Sequence, residues 1–150
     1  MHMERNNINS YHAWSLQDGF RAIPPYFQAN KSLFFSVLKA CGIVRELKRG
    51  RMMHDQFIAS GVEIDVVSGT RFVDFYARCG ALEEAQRVFD RMDDKSTVSW
   101  GALLAGYVQH EQVQLALELY EEMQKNDIIP DESILSSFVK AYAHIGSITH

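Results

Sequence analysis

The residues that could do chemistry in this 150-residue chain are six histidines, two cysteines and nineteen acids, and their spacing decides what they can do. The histidines stand at 2, 12, 54, 110, 144 and 150, with no spacing that closes on a metal ion. A zinc-dependent base deaminase holds its metal and its general acid–base glutamate in an HxE…PCxxC pattern, which this sequence lacks. The GxSxG nucleophile turn, the Walker phosphate loop and the GxGxxG dinucleotide turn are missing as well. Cys41 and Cys79 are far apart in sequence and form no CxxC pair, which reads as free thiols in a reducing compartment. No cluster carries nucleophilic or acid–base catalysis, so the sequence predicts a non-enzyme with no cofactor and no metal.

What recurs instead is an apolar pattern, and it defines the elements that must position any binding residue. Leu82, Ala85, Val88, Phe89 and Met92 are matched in class and spacing by Val113, Ala116, Leu119, Tyr120 and Met123. Offsets of three, six, seven and ten trace one face of an α-helix. Ala85 and Ala116 are the small members, predicted where two helix backbones approach closely. A second set, Phe72, Val73 and Tyr76, recurs as Leu103, Leu104 and Tyr107 and again as Phe138, Val139 and Tyr142. Counting back one repeat from Phe72 reaches Val37, Leu38 and Cys41. Each unit is then a pair of short antiparallel helices, about 66–78 and 81–92 in the middle unit. Gly80 is placed to end the first of these in a left-handed conformation, with Gly42 and Gly146 in comparable places and Glu111 standing there in the third unit. Pro130 separates the third unit from the fourth. The predicted fold is all-α: a right-handed α-solenoid of antiparallel helical hairpins whose repeat period alternates 35/31/35.

The segments "SVLKACGIVRELKRGRMMHDQFIASG", "VDFYARCGALEEAQRVFDRM" and "TVSWGALLAGYVQHEQVQLALELYEEMQKNDIIPDE" resemble consecutive motifs of the pentatricopeptide repeat family. Tetratricopeptide repeats differ in length and in their Trp/Gly/Tyr signature. The alternating lengths resemble the plant-type subfamily of long, short and standard motifs. On that resemblance the chain divides into a degenerate N-terminal segment, 1–30, and an array over 31–150. The array comprises a long motif at 31–65, a short one at 66–96, a standard one at 97–131 and an incomplete long one at 132–150. The resemblance implies sequence-specific binding of single-stranded RNA in mitochondria or chloroplasts, in organellar RNA processing or recognition of C-to-U editing sites. It implies as partners organellar RNA and a separate editing deaminase or another pentatricopeptide repeat protein. No clear transit peptide is expected at the N-terminus, and no apolar run approaches the roughly 20 residues of a membrane-spanning helix.

In this family each repeat addresses about one base through two or three side chains. One lies early in the first helix, another at the junction with the next repeat. Carried onto this sequence the pairs are Phe35 with Asp65, Thr70 with Ser96, and Gly101 with Asp131, while Ser136 begins a fourth. Thr70 offers a hydroxyl to a base edge and implies a lean toward a purine. Gly101 offers no side-chain hydrogen bond, and Phe35 can stack without discriminating. Val66 heads its motif, where an apolar residue sandwiches the base; Thr97 and Glu132 hold the corresponding places. The aromatic residues Tyr76, Phe89, Trp100, Tyr107, Tyr120 and Tyr142 fall mostly on the repeated positions and read as core.

Charge is uneven along the chain. Residues 31–65 carry six Lys/Arg against four Asp/Glu, 66–96 carry five against six, and 97–131 one against six. Lys39, Arg71 and Lys140 lie on first helices and are the expected phosphate contacts, whereas the cluster "RELKRGR" at 45–51 belongs to a second helix and reads as a solvated face. Two other readings stay open: a protein-interaction scaffold, supported by the acidic balance, and a folded fragment without autonomous function, since the sequence stops where a second helix is expected.

Overall fold

The computed structural model describes residues 31–149. The expectation of a degenerate segment at 1–30 lies outside the described residues, as does the side chain of Tyr142. Seven α-helices and no strand are found among the described residues: α1 (Lys31–Ile43), α2 (Leu47–Ala59), α3 (Val66–Arg78), α4 (Leu82–Arg91), α5 (Thr97–Gln109), α6 (Val113–Lys125) and α7 (Glu132–Thr149). They form two compact units, divided after Ile64.

The first unit is the α1–α2 hairpin. Its core is aromatic: Phe34 meets Phe35 edge-on at 5.1 Å, and Phe57 of α2 lies 5.6 and 5.7 Å from the two rings. Leu38 and Met53 are fully buried beside them. Cys41 is buried and unpaired by disulfide, and burial above all pushes its thiol pKa up.

In the second unit α3, α5 and α7 form a continuous row of first helices; α4 and α6 each pack on their own partner and on the next first helix. The apolar repeat explains this. Phe72, Val73, Leu103 and Leu104 are fully buried, and so are Ala85 and Ala116 on the second helices. Helices α3 and α5 run parallel, because the same 29-residue offset joins them near both ends. Thr70 meets Ser99 near their N-termini, and a Cβ on Gly106 would stand 2.6 Å from the Cβ of Ala77 near their C-termini. Only a residue without a side chain permits that approach. Close packing at this point brings His110 over the end of α3, where its Nε2–H donates to the Ala77 carbonyl at 2.9 Å. Tyr107 donates its hydroxyl hydrogen to Gln86 Oε1 of the neighbouring second helix.

The turns inside the hairpins are built alike. Glu46 N–H reaches the Cys41 carbonyl at 2.8 Å, Ala81 N–H that of Tyr76 at 2.9 Å, and Gln112 N–H that of Tyr107 at 2.8 Å. Each closes the six-residue loop that satisfies the last carbonyls of a first helix. The left-handed residue in these turns is Arg45 (φ 59°), Gly80 (φ 77°) and Glu111 (φ 61°). Gly80 and Glu111 stand where the sequence puts them, but Gly42 does not: it is buried inside α1, and Arg45 takes the turn. Gly146 is also no turn residue, since α7 runs on through it to Thr149.

Candidate nucleic-acid interface

Each first helix of the second unit opens on a residue that the family resemblance marks as a junction residue. Asp65 caps α3, its Oδ1 accepting from Ser68 N–H at 2.8 Å. Ser96 caps α5, accepting from Ser99 N–H at 3.2 Å, while Ser99 Oγ accepts from Ser96 N–H at 3.0 Å. Asp131 caps α7, Oδ1 accepting from Ile134 N–H at 2.9 Å. Short oxygen-bearing side chains at these places therefore have a local reason: they satisfy amides that the first turn leaves without partners.

One turn further on lie the first-helix positions. Thr70 is half-buried, and its hydroxyl lies 2.6 Å from the Val66 carbonyl and 2.7 Å from Ser99 Oγ. Ser99 in turn stands 3.1 Å from Ser96 Oγ. Thr70 and Ser96 are thus brought together with one residue, Ser99, between them. Gly101 and Asp131 are linked in the same way through Ile134: a Cβ on Gly101 would lie 3.3 Å from Ile134 Cγ1, and Asp131 caps the Ile134 amide. Ser136 is exposed on α7.

Phe35 is placed differently from its expected stacking role. Only 8% exposed, its ring is held between Phe34 and Phe57, so it serves the hairpin core and has no face to offer a base. The cause is the doubled aromatic "FF" at 34–35, both members of which the α1–α2 hairpin buries. Phe35 and Asp65 also belong to different units.

Val66 and Thr97 are half-buried at the helix starts and Glu132 is exposed. The apolar residues that do stand open are their neighbours Val67 and Val98, 57% and 64% exposed and at equivalent places in successive repeats. The sequence signal for them was an apolar residue repeating off the core register. The aromatic residues behave as core: Tyr76, Phe89, Trp100 and Tyr107 are buried, and Phe89 packs edge-on against Trp100 at 4.8 Å. Tyr120 is half-buried against Phe138 at 4.1 Å.

Lys39, Arg71 and Lys140 are exposed on α1, α3 and α7, within reach of solvent anions. The "RELKRGR" cluster spans the turn and first residues of α2, with its charged side chains largely exposed. Glu118, Glu121 and Glu122 are exposed on α6, a second helix, so the acidic repeat keeps these three off the row of first helices.

Two matches to the family fall in the second unit. Residues 70–96 match the PPR repeat and 95–144 match the PPR repeat family, together half of the chain. The chain belongs to the pentatricopeptide repeat family. It is 41% identical over 97 residues to a pentatricopeptide repeat-containing protein of Arabidopsis thaliana, a match that covers 65% of this chain and 16% of that protein. A mitochondrial pentatricopeptide repeat-containing protein of the same plant is 36% identical over 118 residues, 79% of this chain and 19% of its own length. A chloroplastic one is 34% identical over 113 residues, 75% and 14%. The chain thus spans a fifth or less of the length of these three relatives.

Proposed function

We propose that this pentatricopeptide repeat chain binds single-stranded RNA, within organellar RNA processing or the recognition of C-to-U editing sites. The observation that carries the proposal is the geometry at α3 and α5. A half-buried first-helix hydroxyl, Thr70, and a junction hydroxyl, Ser96, are bridged by Ser99 near the start of parallel helices, with exposed Val67 and Val98 beside them. Hydroxyl oxygens at this place can hydrogen-bond a base edge, and the valines give a flat apolar contact for a base face. Arg71, next to Thr70, supplies charge for phosphate.

The plant-type subfamily reading rests on the 35/31/35 spacing, and the editing role on that reading. Deamination itself belongs to another protein or another region, since no zinc-deaminase pattern occurs in this sequence. The mitochondrial and chloroplastic relatives support an organelle as the place of action.

Fluorescence anisotropy of the purified chain against a randomised single-stranded RNA pool tests the proposal, with duplex RNA as control and circular dichroism to confirm helix. Saturable binding to single strands that weakens with salt is the expected result. A folded helical chain that binds no single strand overturns it. Binding of apolar peptides that ignores ionic strength would point to a scaffold instead, using the open groove between α6 and α7 lined by Leu117, Tyr120, Leu135, Phe138 and Val139.

A further inference from the structure

Ser99 is completely buried, yet it belongs to neither position of a recognition pair and its hydroxyl touches both members of one. Its hydrogen-bond polarity follows from counting hydrogens. The Val66 carbonyl can only accept, so the single hydroxyl hydrogen of Thr70 points to it. The 2.7 Å contact between Thr70 and Ser99 then requires Ser99 to donate. With its hydrogen spent there, Ser99 Oγ accepts from both Ser96 N–H and the Ser96 hydroxyl. Ser96 Oγ is itself taken on one side by Ser99 N–H. Thr70 and Ser96 are both left with unused lone pairs and no free hydrogen.

We infer that Ser99 is a positioning residue for base selection: it holds Thr70 and Ser96 as acceptor-only groups, so this repeat favours a base edge bearing an exocyclic amine and disfavours uracil. The inference rests on the RNA-binding reading above and goes beyond it. Adenine, cytosine and guanine each present an amine N–H to such oxygens. Uracil presents an N–H flanked by two carbonyls, whose lone pairs face those of the protein. The next junction supplies the contrast. There the residue equivalent to Ser99 is Ile134, buried against Gly101, so that pair contains no hydroxyl relay and little room for a side chain at 101. The residue three positions past each junction therefore sets what the preceding first helix can present.

The experiment is selection from a randomised single-stranded RNA pool by the intact chain and by Ser99→Ala, Ser99→Thr and the double variant Gly101→Thr with Ile134→Ser. Circular dichroism and melting are recorded for each. The wild type is expected to select against uracil at one position. Ser99→Ala frees the Ser96 hydroxyl to donate outward and leaves Thr70 held by the Val66 carbonyl alone, which should relax that discrimination about fivefold, the worth of roughly one net hydrogen bond. Ser99→Thr keeps a hydroxyl and should restore it. The double variant transplants the relay and should create the same preference at an adjacent nucleotide. An unchanged base preference in a folded, RNA-binding Ser99→Ala overturns the inference.

Methyl-carbon couplings that report the Thr70 rotamer are measured on the same proteins. A single rotamer in the wild type and averaging in Ser99→Ala are expected; an identical rotamer in both overturns the positioning claim even with no RNA present. Absence of RNA binding by the wild type would instead sink the functional reading, which keeps the two failures apart.

Discussion

On the proposed function, substitutions at Thr70 and Asp65 should separate binding from stability at the level of single residues. Asp65 holds the first turn of α3 through the Ser68 amide, so Asp65→Ala should lower stability by about 1 kcal/mol in chemical denaturation. Thr70 makes its bonds at the surface of the helix row, so Thr70→Ala should weaken RNA binding more than it lowers the melting temperature. Tyr107 gives a pH prediction. Burial first, then the negative charges of Asp90 and Glu118, raise its phenol pKa. The fold favours the neutral phenol, so this contribution is complete below the ordinary value of about 10 and is lost as pH rises through the higher folded value. Tyr107→Phe should therefore flatten the alkaline fall of stability, measured by denaturant unfolding across that range. The proposed pairing of Thr70 with Ser96 comes from the family motif, because both sit at fixed places in the repeat. Ser99 could not be found that way. The sequence displays a serine three positions past the cap, but not that the first helix of the preceding repeat brings a threonine to it. Phe35 escaped for a related reason: a helical pattern marks which face is apolar, and "FF" offers two adjacent candidates for it.

Among the helices, the approach of α3 to α5 is the tightest restraint. Gly106→Ala would force a Cβ to within 2.6 Å of the Ala77 Cβ, with the Ala77 Cα also close at 3.3 Å. Backbone must move, so a loss of about 1–3 kcal/mol is expected, and Ala77→Gly in the same chain should recover part of it. The turns offer the opposite sign. Arg45 adopts a left-handed conformation that costs a residue with a Cβ roughly 1 kcal/mol, so Arg45→Gly should raise the melting temperature. Helix existence and face were readable because the apolar positions recur from repeat to repeat, and the middle hairpin, expected near 66–78 and 81–92, folds as Val66–Arg78 and Leu82–Arg91. Turn residues were less readable. The six-residue hydrogen-bonded closure fixes the conformation of the turn, and glycine, arginine and glutamate all accept it.

At the scale of the whole molecule, charge and repetition decide what is bound. First helices carry Lys39, Arg71 and Lys140 exposed, while three of the six acids of residues 97–131 lie on α6. About three phosphate contacts by these cations would cost on the order of tenfold in affinity between about 50 and about 200 mM salt. The all-α repeat class was legible from period alone; the base preference proposed for the α3–α5 pair was not, since it rests on which hydroxyl keeps its hydrogen. The most direct test of the central claim is anisotropy of a randomised single-stranded RNA pool with the wild-type chain and Thr70→Ala, at low and near-physiological salt. Salt-sensitive binding by the wild type, reduced several-fold in a folded Thr70→Ala, is the expected result. Equal binding by both proteins, or none by a folded wild type, would contradict the assignment of base recognition to this row of helices.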